Sequence, residues 1–281
     1  MIRTSILLAT ASSFATALCG TASADAVFNR IAAFPVNTNL PADADQASPT
    51  SAEIVTATQD GMTLIYSDSP GKSVGFVDIA DPKNPKAAGM VRLEGEPTSV
   101  AVAGQKVLIA LNTSKSKVDP SGVLLTMDVA GKTIDTSCDL GGQPDSVGIS
   151  PDGSIAAVAI ENERDEDLND GEIPQLPAGS VAIFKLKDGA ADCDSRIMVD
   201  VKGLAAVAGD DPEPEYVDIN SRNEIAVTLQ ENNHIVLING NDGKVIGHFS
   251  AGAVDLTGID TKSDGAIAFT GEKKAVAREP D

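Results

Sequence analysis

One phrase returns along this chain, and its spacing constrains the fold more than any other feature. It reads Glu96-Pro97-Thr98-Ser99-Val100, then Gln143-Pro144-Asp145-Ser146-Val147, then Glu213-Pro214-Glu215-Tyr216-Val217, and opens once more as Glu279-Pro280-Asp281. The prolines stand 47, 70 and 66 residues apart, which describes a period near 47 carrying two insertions. That period suits one four-stranded propeller blade.

Between the phrases, β-branched and small apolar residues run for five to eight positions, bounded by turn signals. The first unit predicts strands near 53–58, 62–67, 73–79 and 87–93, and the second near 99–103, 106–112, 122–129 and 132–140. The third predicts 145–150, 154–161, 179–186 and 195–201, and the fourth 216–220, 224–230, 234–239 and 244–249. Pro151-Asp152-Gly153 is a tight turn in which Gly supplies the positive φ. No segment holds a 3.6-residue period, so helix should be scarce. The expected fold is all-β, with about four four-stranded β-propeller blades forming an incomplete ring. An array of immunoglobulin-type sandwiches also spaces short strands evenly, but each unit here is about half a sandwich domain and lacks its Cys–Trp–Cys hallmark.

Composition narrows the partners. The 41 acidic residues against 21 basic ones leave a net charge of −20, the wrong sign for neutralising phosphates, so no nucleic-acid partner is expected. The 42% hydrophobic content excludes a disordered acidic tail.

The first residues read as an export leader. Arg3 precedes the apolar Ile6-Leu7-Leu8-Ala9, and Ala22-Ser23-Ala24 fits an A-x-A cleavage site. Leu18 before Cys19 is too large for a typical lipobox, and no later run is long enough for a transmembrane segment. The expected organisation is therefore a leader over 1–24, an N-terminal strand and linker over 25–50, and blades over 51–281. The mature chain should be periplasmic or extracellular. Cleavage leaves Cys138 and Cys193. The repeat places them at opposite ends of neighbouring outer strands, beyond the ~7 Å Cα limit for a bridge, so no disulfide is expected. Because Glu279-Pro280-Asp281 opens another unit, the expected partner is a missing C-terminal set of blades or domain of the same protein, with the 27–36 segment serving as the strand that closes the last blade.

Several phrases carry a family resemblance. Phe28-Asn29-Arg30-Ile31, Gly95-Glu96-Pro97-Thr98-Ser99-Val100, Gly142-Gln143-Pro144-Asp145-Ser146-Val147 and Glu161-Asn162-Glu163-Arg164-Asp165-Glu166-Asp167 resemble the N-terminal propeller of bacterial secreted choice-of-anchor I proteins. Leu229-Gln230-Glu231-Asn232-Asn233-His234-Ile235 fits the same pattern. Such proteins are often labelled alkaline phosphatase or esterase-like phytase, and are similar to the wider YVTN-type propellers. The resemblance covers essentially the whole mature chain and implies that the phytase-like region lies further along.

A four-stranded meander puts the loops after second strands and the crossings between blades on one side of the disc. That side collects Asp145, Glu161, Asp165, Asp167, Glu215 and Glu231, a set of oxygen ligands suited to a hard cation such as Ca²⁺. The bland reading of the same acids is a solvated, solubilising loop face. Asp165-Glu166-Asp167-Leu168-Asn169-Asp170-Gly171 imitates an EF-hand start but has Gly at the seventh position and Leu176 at the twelfth. Gly71-Lys72-Ser73-Val74-Gly75 matches G-x-S-x-G but runs into a strand, not the helix that a nucleophile elbow needs. His234 and His248 fall in separate strands with no evident Cys or His partner. Two functions follow. One is a non-catalytic recognition or scaffold propeller of a larger phosphoesterase-like protein. The other is a calcium-dependent phosphomonoesterase, in which bound metal must offset the repulsion between carboxylates and phosphate.

Overall fold

A computed structural model of the protein describes residues 29–165 and 167–281. The expected leader and Cys19 lie outside the described residues. One compact unit runs from Ala32 to Asp281.

Four antiparallel meanders make four blades. Blade 1 holds β1 (Val55–Ala57), β2 (Thr63–Asp68), β3 (Ser73–Asp78) and β4 (Lys86–Arg92). Blade 2 holds β5 (Glu96–Ala103), β6 (Lys106–Asn112), β7 (Gly122–Asp128) and β8 (Thr133–Asp139). Blade 3 holds β9 (Pro144–Ile149), β10 (Ile155–Ile160), β11 (Ser180–Lys187) and β12 (Ala190–Asp200). Blade 4 holds β13 (Pro214–Ile219), β14 (Glu224–Leu229), β15 (His234–Asn239) and β16 (Lys244–Ser250). The first strands are successive neighbours, β1 beside β5, β5 beside β9 and β9 beside β13, which is the inner course of a propeller. A two-stranded hairpin, β17 (Ala253–Ile259) with β18 (Gly271–Ala277), lies between the last strand of blade 4 and Glu279-Pro280-Asp281, where the sequence predicts no strand.

The core lies between blades. Ile65, Val74 and Phe76 of blade 1 meet Val107, Ile109 and Met127 of blade 2. Leu108, Leu124 and Leu140 of blade 2 meet Ala156, Val158, Ile160 and Phe184 of blade 3. Ile155, Ala157, Ala159 and Ile183 of blade 3 meet Ile225, Val227, Leu229 and Val236 of blade 4. Strand β10, Ile-Ala-Ala-Val-Ala-Ile, is buried at every position because its two faces serve two layers. A strand covered on both sides needs no polar alternation. Small alanines let neighbouring sheets approach, and each large side chain removed from water contributes roughly 1.5–3 kcal/mol.

Serine links successive blades. Val147 N–H of blade 3 donates to Ser99 Oγ of blade 2 at 3.2 Å, and Val217 N–H of blade 4 donates to Ser146 Oγ of blade 3 at 3.0 Å. In blade 4 the equivalent residue is Tyr216, 48% exposed.

Two sequence expectations need correction. Cys138 and Cys193 are joined by a disulfide, with Cα atoms 5.2 Å apart. The error lay in the start of the last strand of blade 3. Strand β12 begins at Ala190, and Ile183 pairs with Ile197 while Lys185 pairs with Asp192, so residues 193–196 stand opposite Phe184 alone. The bulge carries Cys193 toward β8, where Arg196 also donates to the Asp139 carbonyl and pairs with its carboxylate. The second correction is the strand expected over 27–36. Residues 29–35 are irregular and lead into a 3-10 turn at Val36–Asn39; Val27 and Phe28 lie outside the described residues. That turn has a different task. Asn39, 6% exposed, donates to Tyr66 Oη and to the Phe76 carbonyl, each at 2.9 Å, and accepts from Gly89 N–H at 3.1 Å. It fills the bulge where the β3–β4 register shifts between Gly75 and Val77. The Tyr66 ring lies across Gly75, leaving no room for a Cβ there.

Candidate functional site

The loops after second strands are held by Asx side chains. Asp68 accepts from Ser51 N–H at 2.9 Å and Gly71 N–H at 3.1 Å. Asn162 accepts from Gln143 N–H at 2.8 Å and donates to the carbonyls of Pro177 and Ala178. Asn232 accepts from Glu213 N–H at 2.9 Å and donates to the carbonyls of Val207, Ala208 and Asp211. In each case a side chain at the end of a second strand ties down the crossing into its own blade. Asn162 adopts φ 54°, a left-handed conformation that Asn tolerates better than most residues.

Glu161 and Glu231 immediately precede Asn162 and Asn232, so the same clamps set their positions. With Asp165 and Asp167 they line a cleft of about 640 Å³, together with Lys117 and Glu213. Two basic residues there have structural partners. Arg164 donates through its backbone N–H to Glu213 Oε1 at 2.8 Å and through its guanidinium to Oε2, burying the pair. Lys117 donates to Glu163 Oε1 at 2.6 Å and to the Arg164 carbonyl at 3.1 Å. The loop beyond is closed by Gln175, whose amide exchanges hydrogen bonds with the Asp165 backbone and whose N–H donates to buried Asp211. Asp165 Oδ1 accepts from Asp167 N–H at 3.1 Å.

The remaining carboxylates perturb one another. Burial pushes the Glu161 carboxyl up to about 9, with the charges of Asp145, Glu163, Glu213 and Glu215 adding to the shift. Glu215 is raised to about 7 by burial and by Asp145, Asp281, Glu231 and Glu213. Asp145 is raised to about 6 by burial and by Asp281 and Glu163. The Gln230 amide faces Glu215 and can donate to both of its oxygens. At neutral pH the group therefore holds protons that ordinary carboxylates would have lost.

Of the six residues expected to hold calcium, Glu161, Asp165, Asp167 and Glu231 share the cleft, while Asp145 and Glu215 join Glu161 through their fields. Among the described residues no group of three or more His, Cys, Asp or Glu is spaced to hold a metal ion. Among the described residues no Ser, Thr, Cys or His lines the cleft. Sequence reasoning passed over Lys117, Arg164 and Gln175. Their signal was available, since Arg164 is the lone base in an acidic run, but its partner Glu213 lies 49 residues away.

The histidines also differ from expectation. Strands β15 and β16 are neighbours, and His234 Nε2 lies 2.9 Å from His248 Nδ1. The pairing is diagonal, because His234 opposes Ser250 and His248 opposes Val236.

The choice-of-anchor I domain matches residues 53–281, four blades and the hairpin together. The chain belongs to the choice-of-anchor I family. Among solved structures, this choice-of-anchor I chain is similar to a candidate 6-phosphogluconolactonase from Bacteroides uniformis, at TM-score 0.52 and 12% identity, over 75% of this chain and 58% of that one. The nidogen/laminin complex structure matches at TM-score 0.49 and 12% identity, over 71% of this chain and 64% of that one. At such identity the first match speaks to fold alone. The choice-of-anchor I chain thus spans less than two thirds of each of these two solved chains. No curated protein matches it. Among the described residues no helix is long and apolar enough to cross a membrane.

Proposed function

We propose that this choice-of-anchor I domain is a non-catalytic scaffold and recognition propeller within a larger exported, phosphoesterase-like protein. The observation that carries the reading is the far face of blade 4. Tyr216 and Phe249 are 48% and 51% exposed, beside half-buried Ile235 and Leu237. In blades 2 and 3 both faces are covered by neighbouring blades. An apolar sheet face of this kind is a surface for another layer, here further blades or a domain of the same protein. The disulfide supports export, since such bridges persist in oxidising compartments such as the periplasm or the extracellular space. The acids of the mouth would then serve recognition and solubility, with any phosphoester chemistry residing elsewhere in the protein.

The second reading is a calcium-dependent phosphomonoesterase at the mouth. It is favoured by the raised carboxyls of Glu161, Glu215 and Asp145, which a divalent cation would relieve by supplying the missing positive charge. One experiment separates the two. The 25–281 chain is melted with and without Ca²⁺ and assayed on an aryl phosphate. The scaffold reading expects no phosphate release in either condition; calcium-dependent release that disappears in Glu161→Gln would replace it with the enzyme reading.

A further inference from the structure

The geometry points to a two-histidine site for a borderline divalent transition metal, Cu²⁺ above the others, formed by His234 Nε2 and His248 Nδ1. These are the chain's only two histidines, and the inference does not rest on the acidic mouth. The two nitrogens lie 2.9 Å apart, with ring centroids 5.1 Å apart and planes tilted by 37°. Two imidazole nitrogens bound at about 2.0–2.1 Å and at a right angle stand about 2.9 Å from each other. The present contact is a hydrogen bond, so the nitrogens face one another; a small turn of the exposed His248 ring would aim both lone pairs at a common point beside that line.

Two features suit that chemistry. His234 is 6% exposed and fixed in β15, which presents one ligand already ordered. His248, on β16, is exposed and gives access from solvent, leaving further coordination positions to water. In the hydrogen bond one of the two facing nitrogens carries the proton; on binding, that proton passes through solvent to the far nitrogen of the same ring, so that the N–H groups sit on His234 Nδ1 and His248 Nε2, both facing nitrogens are ligands and no proton is lost overall. Imidazole pairs favour Cu²⁺ over Ni²⁺ and Zn²⁺ and have little use for Ca²⁺. The net charge of −20 raises the local concentration of any cation.

The test uses the untagged 25–281 chain in excess Ca²⁺, which occupies carboxylates that would bind metal loosely. Calorimetry with Cu²⁺ should give one ion per chain, with affinity lowered at least ~10-fold in His248→Gln. Electron paramagnetic resonance should show coordination by two nitrogens. In the proton spectrum, substoichiometric Cu²⁺ should broaden both histidine rings before other signals, a readout that does not depend on any variant folding. Equal affinity in His248→Gln, ring signals untouched by Cu²⁺, or no stoichiometric uptake would each overturn the site and leave the pair as a hydrogen bond between strands.

Discussion

The first and fourth blades occupy the two ends of the same course of strands, yet they meet solvent differently. In blade 1 the outward face is closed by the N-terminal arm: Asn39 reaches over β3 and β4, and Tyr66 beneath it is only 4% exposed. In blade 4 the outward face keeps Tyr216 and Phe249 in water. The Ser-to-Val link that joins blade 2 to blade 3 and blade 3 to blade 4 also lacks its serine there. Equivalent strands can therefore be buried on two sides or on one, and the neighbour decides which. The alternation in β15, buried and half-buried by turns, is the imprint of a sheet covered on one side, whereas β10, covered on both, has none.

The largest expected effect sets the scale of that comparison from the middle of the molecule. Replacing both Cys138 and Cys193 with Ala opens a loop closed across 55 residues, worth about 4 kcal/mol in the chain-entropy account. Tm should fall by roughly 8–16 °C. A shift below a few degrees would mean that blades 2 and 3 stay joined without the bridge.

At the covered end, Asn39→Ala removes three hydrogen bonds at a buried site and should cost about 2–4 kcal/mol. Scanning calorimetry of the 25–281 chain is the measurement. If the variant melts like the parent, the arm does not close blade 1 and the contrast between the two ends fails.

A third effect is electrostatic and belongs to blades 3 and 4. At the positions of Glu161 and Glu231, blade 1 carries fully buried Ser67, which has no charge to lose. Folded Glu161 holds its proton to about pH 9, whereas an unfolded Glu loses it near 4.3. Between those values the native state binds more protons, so stability falls as pH rises through the window and levels off above it. Glu161→Gln should flatten this profile and raise Tm at pH 8 by about 3–6 °C, with no gain at pH 4, after allowance for solvent screening. A parallel shift at both pH values would assign the effect to shape, not charge.

At the open end, Phe249→Lys should change the monomer's Tm by less than about 2 °C, because the side chain is half in solvent. Its consequence should appear in sedimentation: the parent self-associates through the uncovered face at high concentration, and the variant does so less. Identical sedimentation would show that blade 4's face is not adhesive.

The blade plan was legible in the sequence because strands covered on both sides become uninterrupted apolar runs, of which Ile155 to Ile160 is the plainest. Turn residues then marked the blade strands within a few residues, except for the start of β12, which lies five residues before its expected place. Contacts that depend on an extra residue in a strand were not legible. Cys193 reaches Cys138 because residues 193–196 bulge, and no spacing of apolar residues records a bulge. His234 and His248 meet on a diagonal, displaced from the directly opposed pairs that a hairpin register suggests. At the mouth, the acids announced themselves by composition. Which of them serve the scaffold, as Glu213 does with Arg164, depended on a crossing between distant loops.

The bridge between Cys138 and Cys193 has a consequence for how such repeats can be inherited. Blades look interchangeable, and tandem units elsewhere are gained and lost by unequal recombination. Here a gene that dropped the third unit would leave Cys138, 1% exposed, as a solitary thiol in a protein exposed to oxidants, and a gene that copied it would add an odd cysteine. The second and third units are thereby linked as a single heritable module, while the first and fourth carry no such bond to their neighbours among the described residues.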